Sequence, residues 1–237
     1  MDMNTEDKKQ NNSEEQKLTV KEKIIAGLKE TIETVVCVVV MVIIIRFFIA
    51  ELRYIPSGSM LPTLVGAENF KGDRIVVEKI TKFPNIIKTH RFESTPKRGD
   101  IMIFYPPFIE MKTSLWRHFC RLTGLLCNER DTAYIKRVVG LPGEKFEIAK
   151  NEDGKFSILI NDKPLKEDYI MSEYDYPRCS QDMFCGPFII PEDHYFMMGD
   201  NRGNSIDSRY WGPLKKERFI GRAVCVFFPF NRAKILN

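Results

Sequence analysis

The chain of 237 residues carries 36 Lys+Arg against 32 Asp+Glu, a formal net charge of +4, with 43% hydrophobic residues and a mean hydropathy of −0.25. These values exclude a polytopic membrane protein, whose several spans would drive the mean positive, and a collagen- or linker-like chain, since 14 Gly and 13 Pro are ordinary at this length. So small a net charge also gives no support to nucleic-acid binding, which needs a concentrated basic patch.

The average conceals unlike parts. Residues 1–31 mix acids and lysines, as in Glu6-Asp7-Lys8-Lys9, and read as a solvated polar tail. Val35 to Ile45 is then unbroken apolar sequence. Counted from residue 32 to 52, with Arg46 near one end, the segment reaches the roughly 20 residues a bilayer span needs. A cleavable leader would start short and basic and end in a small-residue site, so an uncleaved anchor is the better reading. Lysines 17, 21, 23 and 29 precede it and only Arg53 follows closely, which places the amino terminus in the cytoplasm and residues 53–237 across the membrane.

Beyond residue 54 the pattern is β. Short β-rich runs at 75–77, 101–105, 134–139, 156–160, 195–198 and 223–228 are bordered by turn residues, with no βαβ alternation. The expectation is a mainly β, antiparallel catalytic domain behind one amino-terminal transmembrane helix, with insertions at about 107–132 and 145–193. Residues 108–128 place Trp116, Phe119, Leu122, Leu125 and Leu126 at helical spacing among Arg117, His118 and Arg121. That is a helix packed on the domain, or a basic-aromatic surface resting on lipid.

Six cysteines and three histidines limit the chemistry. Cys179 and Cys185 bracket a short loop and are a candidate disulfide, with Cys120 and Cys127 a second; free thiols are the alternative. Neither spacing is C-x-x-C, and no H-E-x-x-H occurs, so a zinc site is disfavoured.

Three segments carry chemistry together: 54–64 with Pro56-Ser57-Gly58-Ser59-Met60, 134–143 with Lys136-Arg137, and 199–212 with Gly199-Asp200-Asn201-Arg202 and Ser205-Ile206-Asp207-Ser208-Arg209. A serine needs a base to become a nucleophile, and a lysine serves when burial keeps it neutral. Along a strand Lys136 shares a face with Tyr134 and Val138, which can aim its amine into an apolar site. A solvent-facing edge lysine is the plain alternative. In the third segment Ser205 is a candidate hydrogen-bond partner that directs the amine, and Asp207 and Arg209 can pair.

These segments, with Gly72-Asp73 and Val76 between the first two, resemble bacterial type I signal peptidases in order and separation, as does the preceding anchor. The resemblance implies a signal peptidase or repressor-protease-like β fold. It implies Ser59 as nucleophile, Lys136 as general base, and an oxyanion hole made by the Ser57 hydroxyl and the Ser59 backbone N–H. It further implies supporting roles for Ser205, Asp207, Arg209, Asp200 and Arg137, and substrate pockets lined by Ile55, Pro56, Met60, Leu64, Tyr134 and Ile135. Exported preproteins cut after an A-x-A-like site would be the substrates, membrane lipid the other partner, and the bacterial cytoplasmic membrane the location, single-pass. No metal or organic cofactor is expected. Gly203 departs from the acid many members carry there, and only one span is evident. The alternatives are another Ser-Lys processing peptidase, such as a conjugation-pilus type, and an inactive membrane-tethered binding protein, against which intact Ser59 and Lys136 argue.

Overall fold

The computed structural model describes residues 6–44, 50–67, 71–78, 95–109, 133–150, 154, 156–170 and 183–236. The chain falls into two units, Met1–Arg46 and Phe47–Asn237.

The first unit is a single helix, α1 (Glu6–Ile44). The polar stretch expected as an unstructured tail is therefore helical from Glu6. Its Glu, Lys and Gln are good helix formers whose turns need no buried face, so a missing apolar stripe hid them. Lys29 and Glu33, four residues apart, add an exposed pair at 3.9 Å. Among the described residues no helix is long and apolar enough to cross a membrane. The expected span of 32–52 is also corrected at its far end: Ala50–Leu52 belong to strand β1, paired with Glu78, Val77 and Val76.

The second unit is antiparallel throughout its described pairings. β1 (Ala50–Tyr54), β2 (Arg74–Glu78), β3 (Ile101–Phe104) and β4 (Tyr134–Gly140) are followed by β5 (Lys145–Lys150), β6 (Phe156–Ile160), β7 (Lys163–Pro164) and β8 (Phe188–Ile189). Then come β9 (His194–Met198), a short helix α2 (Ser208–Trp211), β10 (Leu214–Lys215), β11 (Phe219–Phe228) and β12 (Lys234–Ile235). The larger sheet runs β1-β2-β11-β3-β4-β9-β10, with β12 on β11; the smaller runs β7-β6-β5-β8.

β3 and β4 explain why the large sheet carries a site. Every residue of β3 is buried, so the strand is apolar without alternation: Ile101 and Ile103 pack with Ile55, Met60, Leu64 and Ile75, while Met102 and Phe104 pack with Val138, Tyr195 and Met197. β4 pairs with it in the register Ile101↔Arg137, Met102↔Lys136 and Ile103↔Ile135. Two cations thus enter a strand buried on both faces, pointing opposite ways.

The expected β runs at 75–77, 101–105, 134–139, 156–160, 195–198 and 223–228 all fall on strands. β5, β7, β8, β10 and β12 carried no sequence signal; β5 is Lys145-Phe146-Glu147-Ile148-Ala149-Lys150, poor in intrinsic strand formers, and is held by its ladder to β6. The expected helix over 108–128, with Cys120 and Cys127, lies outside the described residues apart from Phe108 and Ile109. Cys185 is disulfide-bonded; Cys179, its expected partner, lies outside the described residues.

Candidate active site

Ser59 sits in a 3₁₀ turn, Gly58–Met60, reached from extended Ser57. The turn is fastened from below by Met60, which has no exposed surface, and closed by Leu64 N–H donating to Met60 O at 2.8 Å. Asn201 fixes it from the side: its backbone N–H donates to Ser59 O at 3.1 Å and its Nδ2 to Gly58 O at 3.2 Å. The backbone also folds back tightly at Gly66, where a Cβ would lie 1.8 Å from Ser57 O, so only glycine fits.

Lys136 Nζ lies 2.9 Å from Ser59 Oγ and donates to Ile135 O at 2.9 Å. The residue is 4% exposed. Tyr134, two residues back on the same face, puts its ring 5.4 Å from the amine. Burial lowers the Lys136 pKa to about 8; Asp207 and then Asp200 pull it up, and Arg209 pushes it down. Desolvation wins because it acts on the whole charge, whereas each carboxylate is already neutralised by an arginine.

Those neutralising pairs are both buried. Arg137 donates to Asp200 through Nε at 2.9 Å and a terminal nitrogen at 2.7 Å, and reaches Gly99 O at 2.7 Å and Thr63 Oγ1 at 3.3 Å. Arg209 donates to Asp207 at 2.8 and 2.9 Å and to Arg202 O at 2.9 Å. Asp207 also caps α2 and accepts from Gly199 N–H at 3.0 Å.

Not every expected role has its contact. Ser205 Oγ is buried without a hydrogen-bond partner, so the expected bond to Lys136 is not formed; the amine is turned to Ser59 and Ile135 instead. Ser205 is close to the Ser59 backbone all the same: a Cβ at Gly199 would meet Ser205 Oγ at 2.3 Å and Ser59 O at 2.5 Å. Met60 and Leu64, expected in substrate pockets, have no exposed surface and pack in the core, as do Ile55 and Ile135; bulky apolar side chains beneath the turn are better buried than open. Pro56 is exposed and Tyr134 partly so. Ser57 is exposed, its Oγ 3.4 Å from Ser59 Oγ.

Sequence reasoning gave no role to Asn201, Thr63, Glu167, Tyr169 or Arg202. Asn201 and Arg202 stand in the dense polar segment that drew attention. Glu167 and Tyr169 lie in a plain polar run, and only long-range contact reveals them.

A serine hydroxyl in contact with a buried amine is chemistry of the serine-hydrolase class. The family model for "Signal peptidase, peptidase S26" matches residues 28–228. The chain is 41% identical over 207 residues to a signal peptidase I of Leptolyngbya laminosa, covering 86% of this chain and 82% of the relative. It is 36% identical to a probable signal peptidase I of Synechocystis sp., covering 86% and 85%. A solved signal peptidase I of Enterococcus faecalis aligns over 54% of this chain and 96% of its own, at 28% identity and a TM-score of 0.35. The chain belongs to the signal peptidase family, peptidase S26.

Proposed function

We propose that Ser59 and Lys136 are the dyad with which this peptidase removes signal peptides from exported preproteins, cutting after an A-x-A-like site. The observation that carries the reading is the 2.9 Å contact between Ser59 Oγ and a buried amine whose pKa is lowered to about 8. Near neutral pH a useful fraction of that amine is unprotonated, as a general base requires.

The steps use only groups of this chain and the substrate. Neutral Lys136 takes the Ser59 hydroxyl proton as Oγ bonds to the scissile carbonyl carbon. The carbonyl oxygen becomes an oxyanion, met by the Ser59 backbone N–H and the Ser57 hydroxyl. Collapse breaks the C–N bond, and the Lys136 ammonium returns its proton to the leaving amine. Water then attacks the acyl-enzyme as Lys136 takes its proton, and a second collapse restores Ser59 Oγ–H. Ser205 is assigned to the ammonium stage. The charged amine has three donors, two of them occupied by Ser59 Oγ and Ile135 O, and Ser205 Oγ is a buried acceptor lacking a partner.

The segment around the apolar run 35–45, expected over 32–52, is proposed to anchor the chain in the cytoplasmic membrane, with the lysine-rich end in the cytoplasm and residues 53–237 outside. Anchoring would hold the site where the apolar segment of a preprotein lies, raising its effective concentration.

A preprotein-processing assay with the wild type, Ser59→Ala and Lys136→Met tests the dyad. Both variants are expected to lose processing; either one working at the wild-type rate refutes it.

A further inference from the structure

Two residues outside the segments that carry the proposed chemistry reach both halves of the site. Glu167 and Tyr169 lie in the stretch that follows β7, the edge of the smaller sheet. The Glu167 carboxylate accepts from Arg202 at 2.9 and 2.5 Å, with side-chain exposures of 3% and 1%. Arg202 Nε in turn donates to Gly199 O at 2.9 Å. Gly199 opens the turn whose next residues are Asp200, partner of Arg137, and Asn201, which holds the backbone of Gly58 and Ser59. Tyr169 completes a second path. Its hydroxyl donates to Glu167 Oε1 at 2.7 Å, and the Arg137 guanidinium lies over its ring, 4.0 Å from the centroid. Burial and the Glu167 charge hold the phenol well above its usual pKa, so it stays a donor.

We infer that Glu167 and Tyr169 form a clasp that positions the nucleophile turn and the base strand against each other. The inference rests on the Ser59–Lys136 reading. Glu167 acts through Arg202 and the 199–201 turn on Ser59; Tyr169 acts through Arg137 on the strand that carries Lys136. Neither touches the reacting atoms, so both are positioning residues. Their cost of removal follows from burial. Without Glu167 the buried Arg202 guanidinium loses the carboxylate it meets at 2.9 and 2.5 Å. Two carboxylates of the same segment, Asp200 and Asp207, raise the Lys136 pKa, against Arg209, which lowers it. An arginine drawn onto either would weaken that support and displace Asn201 from Ser59 O.

The test uses the full chain in vesicles with a preprotein substrate, following kcat, KM and the pH profile of kcat/KM for the wild type, Glu167→Gln, Tyr169→Phe, Tyr169→Leu and Lys136→Met. Glu167→Gln is expected to lower kcat by about 10- to 100-fold with KM changed less than about twofold, the pattern of lost positioning and not of lost substrate contact. Its acid limb is expected at lower pH than in the wild type. A pair that only stabilises the fold would lower the melting temperature and leave kcat and the limb of the folded enzyme in place, and that result overturns the inference. Should Glu167→Gln fail to fold, the tyrosine variants decide. Tyr169→Phe keeps the ring and should retain more activity than Tyr169→Leu, which frees Arg137; equal, wild-type kcat in both overturns the clasp. Lys136→Met separates the two readings. Activity lost there with an unaffected Glu167→Gln sinks the clasp alone, whereas activity retained there sinks the dyad and the clasp with it.

Discussion

The Asp73 carboxylate accepts two hydrogen bonds from the Arg232 guanidinium, at 2.9 and 3.0 Å, across 159 residues of chain. Asp73 is 1% exposed and also receives Val65 N–H at 2.8 Å, while its backbone binds Ile55 N–H and Val65 O. The loop that carries Ser59 is thereby pinned at both ends to one residue, and that residue is neutralised from the far end of the chain. Arg232→Ala leaves a buried carboxylate without its counter-charge and is expected to cost about 2–3 kcal/mol of stability. Chemical denaturation measures it. Asp73→Asn in the Arg232→Ala background should recover part of the loss, because it removes the orphaned charge.

The lowered pKa of Lys136 fixes the sign of the pH dependence. As the proposed base Lys136 would act when neutral, so kcat/KM should rise as pH passes about 8 from below. Asp200 raises that pKa, and Asp200→Asn removes its charge; the acid limb should therefore move to lower pH. The same change strips Arg137 of its counter-charge and should destabilise the fold by about 3–5 kcal/mol. A limb that stays in place or moves to higher pH would contradict the electrostatic account.

Lys136→Arg tests whether charge or hydrogen bonding matters. A guanidinium still donates but cannot be deprotonated in a protein. Turnover should fall about 100- to 10,000-fold, the usual worth of a general base. Retention of turnover would mean that the amine only positions Ser59.

Ser57→Ala removes the hydroxyl 3.4 Å from Ser59 Oγ. Being exposed, Ser57 contributes little to stability, so the melting temperature should hold while kcat falls about 100- to 1,000-fold, as for loss of one oxyanion donor. Equal losses in kcat and in thermal stability would assign Ser57 to the fold.

Gly199→Ala is a steric test. The added Cβ would meet Ser205 Oγ at 2.3 Å and the Ser59 carbonyl oxygen at 2.5 Å. The hydroxyl can turn aside, but the backbone of the nucleophile turn cannot, so acylation should be lost in a protein that still folds. Reaction of Ser59 with an acylating inhibitor reports this directly.

What the sequence made legible follows range of interaction. Strands with β-branched runs and bordering turns were readable because propensity and burial agree there, as in Ile75-Val76-Val77. Alternation along one strand put Lys136 on a face with Tyr134 and Val138, but the family likeness chose the buried reading over the solvent-facing one. Asp207–Arg209 was suggested as a pair by sequence proximity, and Arg137 and Asp200 only as supporting residues by the likeness. The Glu167–Arg202 pair was invisible, since nothing in Lys166-Glu167-Asp168-Tyr169 distinguishes a buried carboxylate from a solvated one. Met60 and Leu64 show a related limit: apolar residues beside Ser59 suit a pocket wall and a core equally well, and in the structure both are packed in the core. Only the polar part of the amino-terminal helix, before residue 32, escaped, because its sequence carries no apolar stripe to leave a periodic trace.

Lys136 and Arg137 are chain neighbours with opposite duties, one amine kept near neutrality by burial and one guanidinium kept charged against Asp200. The β3–β4 ladder decides which is which. Slippage of that ladder by a single residue would, in one direction, turn the permanent cation toward the serine and, in the other, turn the titratable amine toward the aspartate. Most backbone hydrogen bonds of the β3–β4 ladder would be regained, yet no amine would face the hydroxyl. If Lys136 is the base proposed above, strand register is a proton-handling device, and a folding error invisible to secondary-structure content would be read out as an inert enzyme.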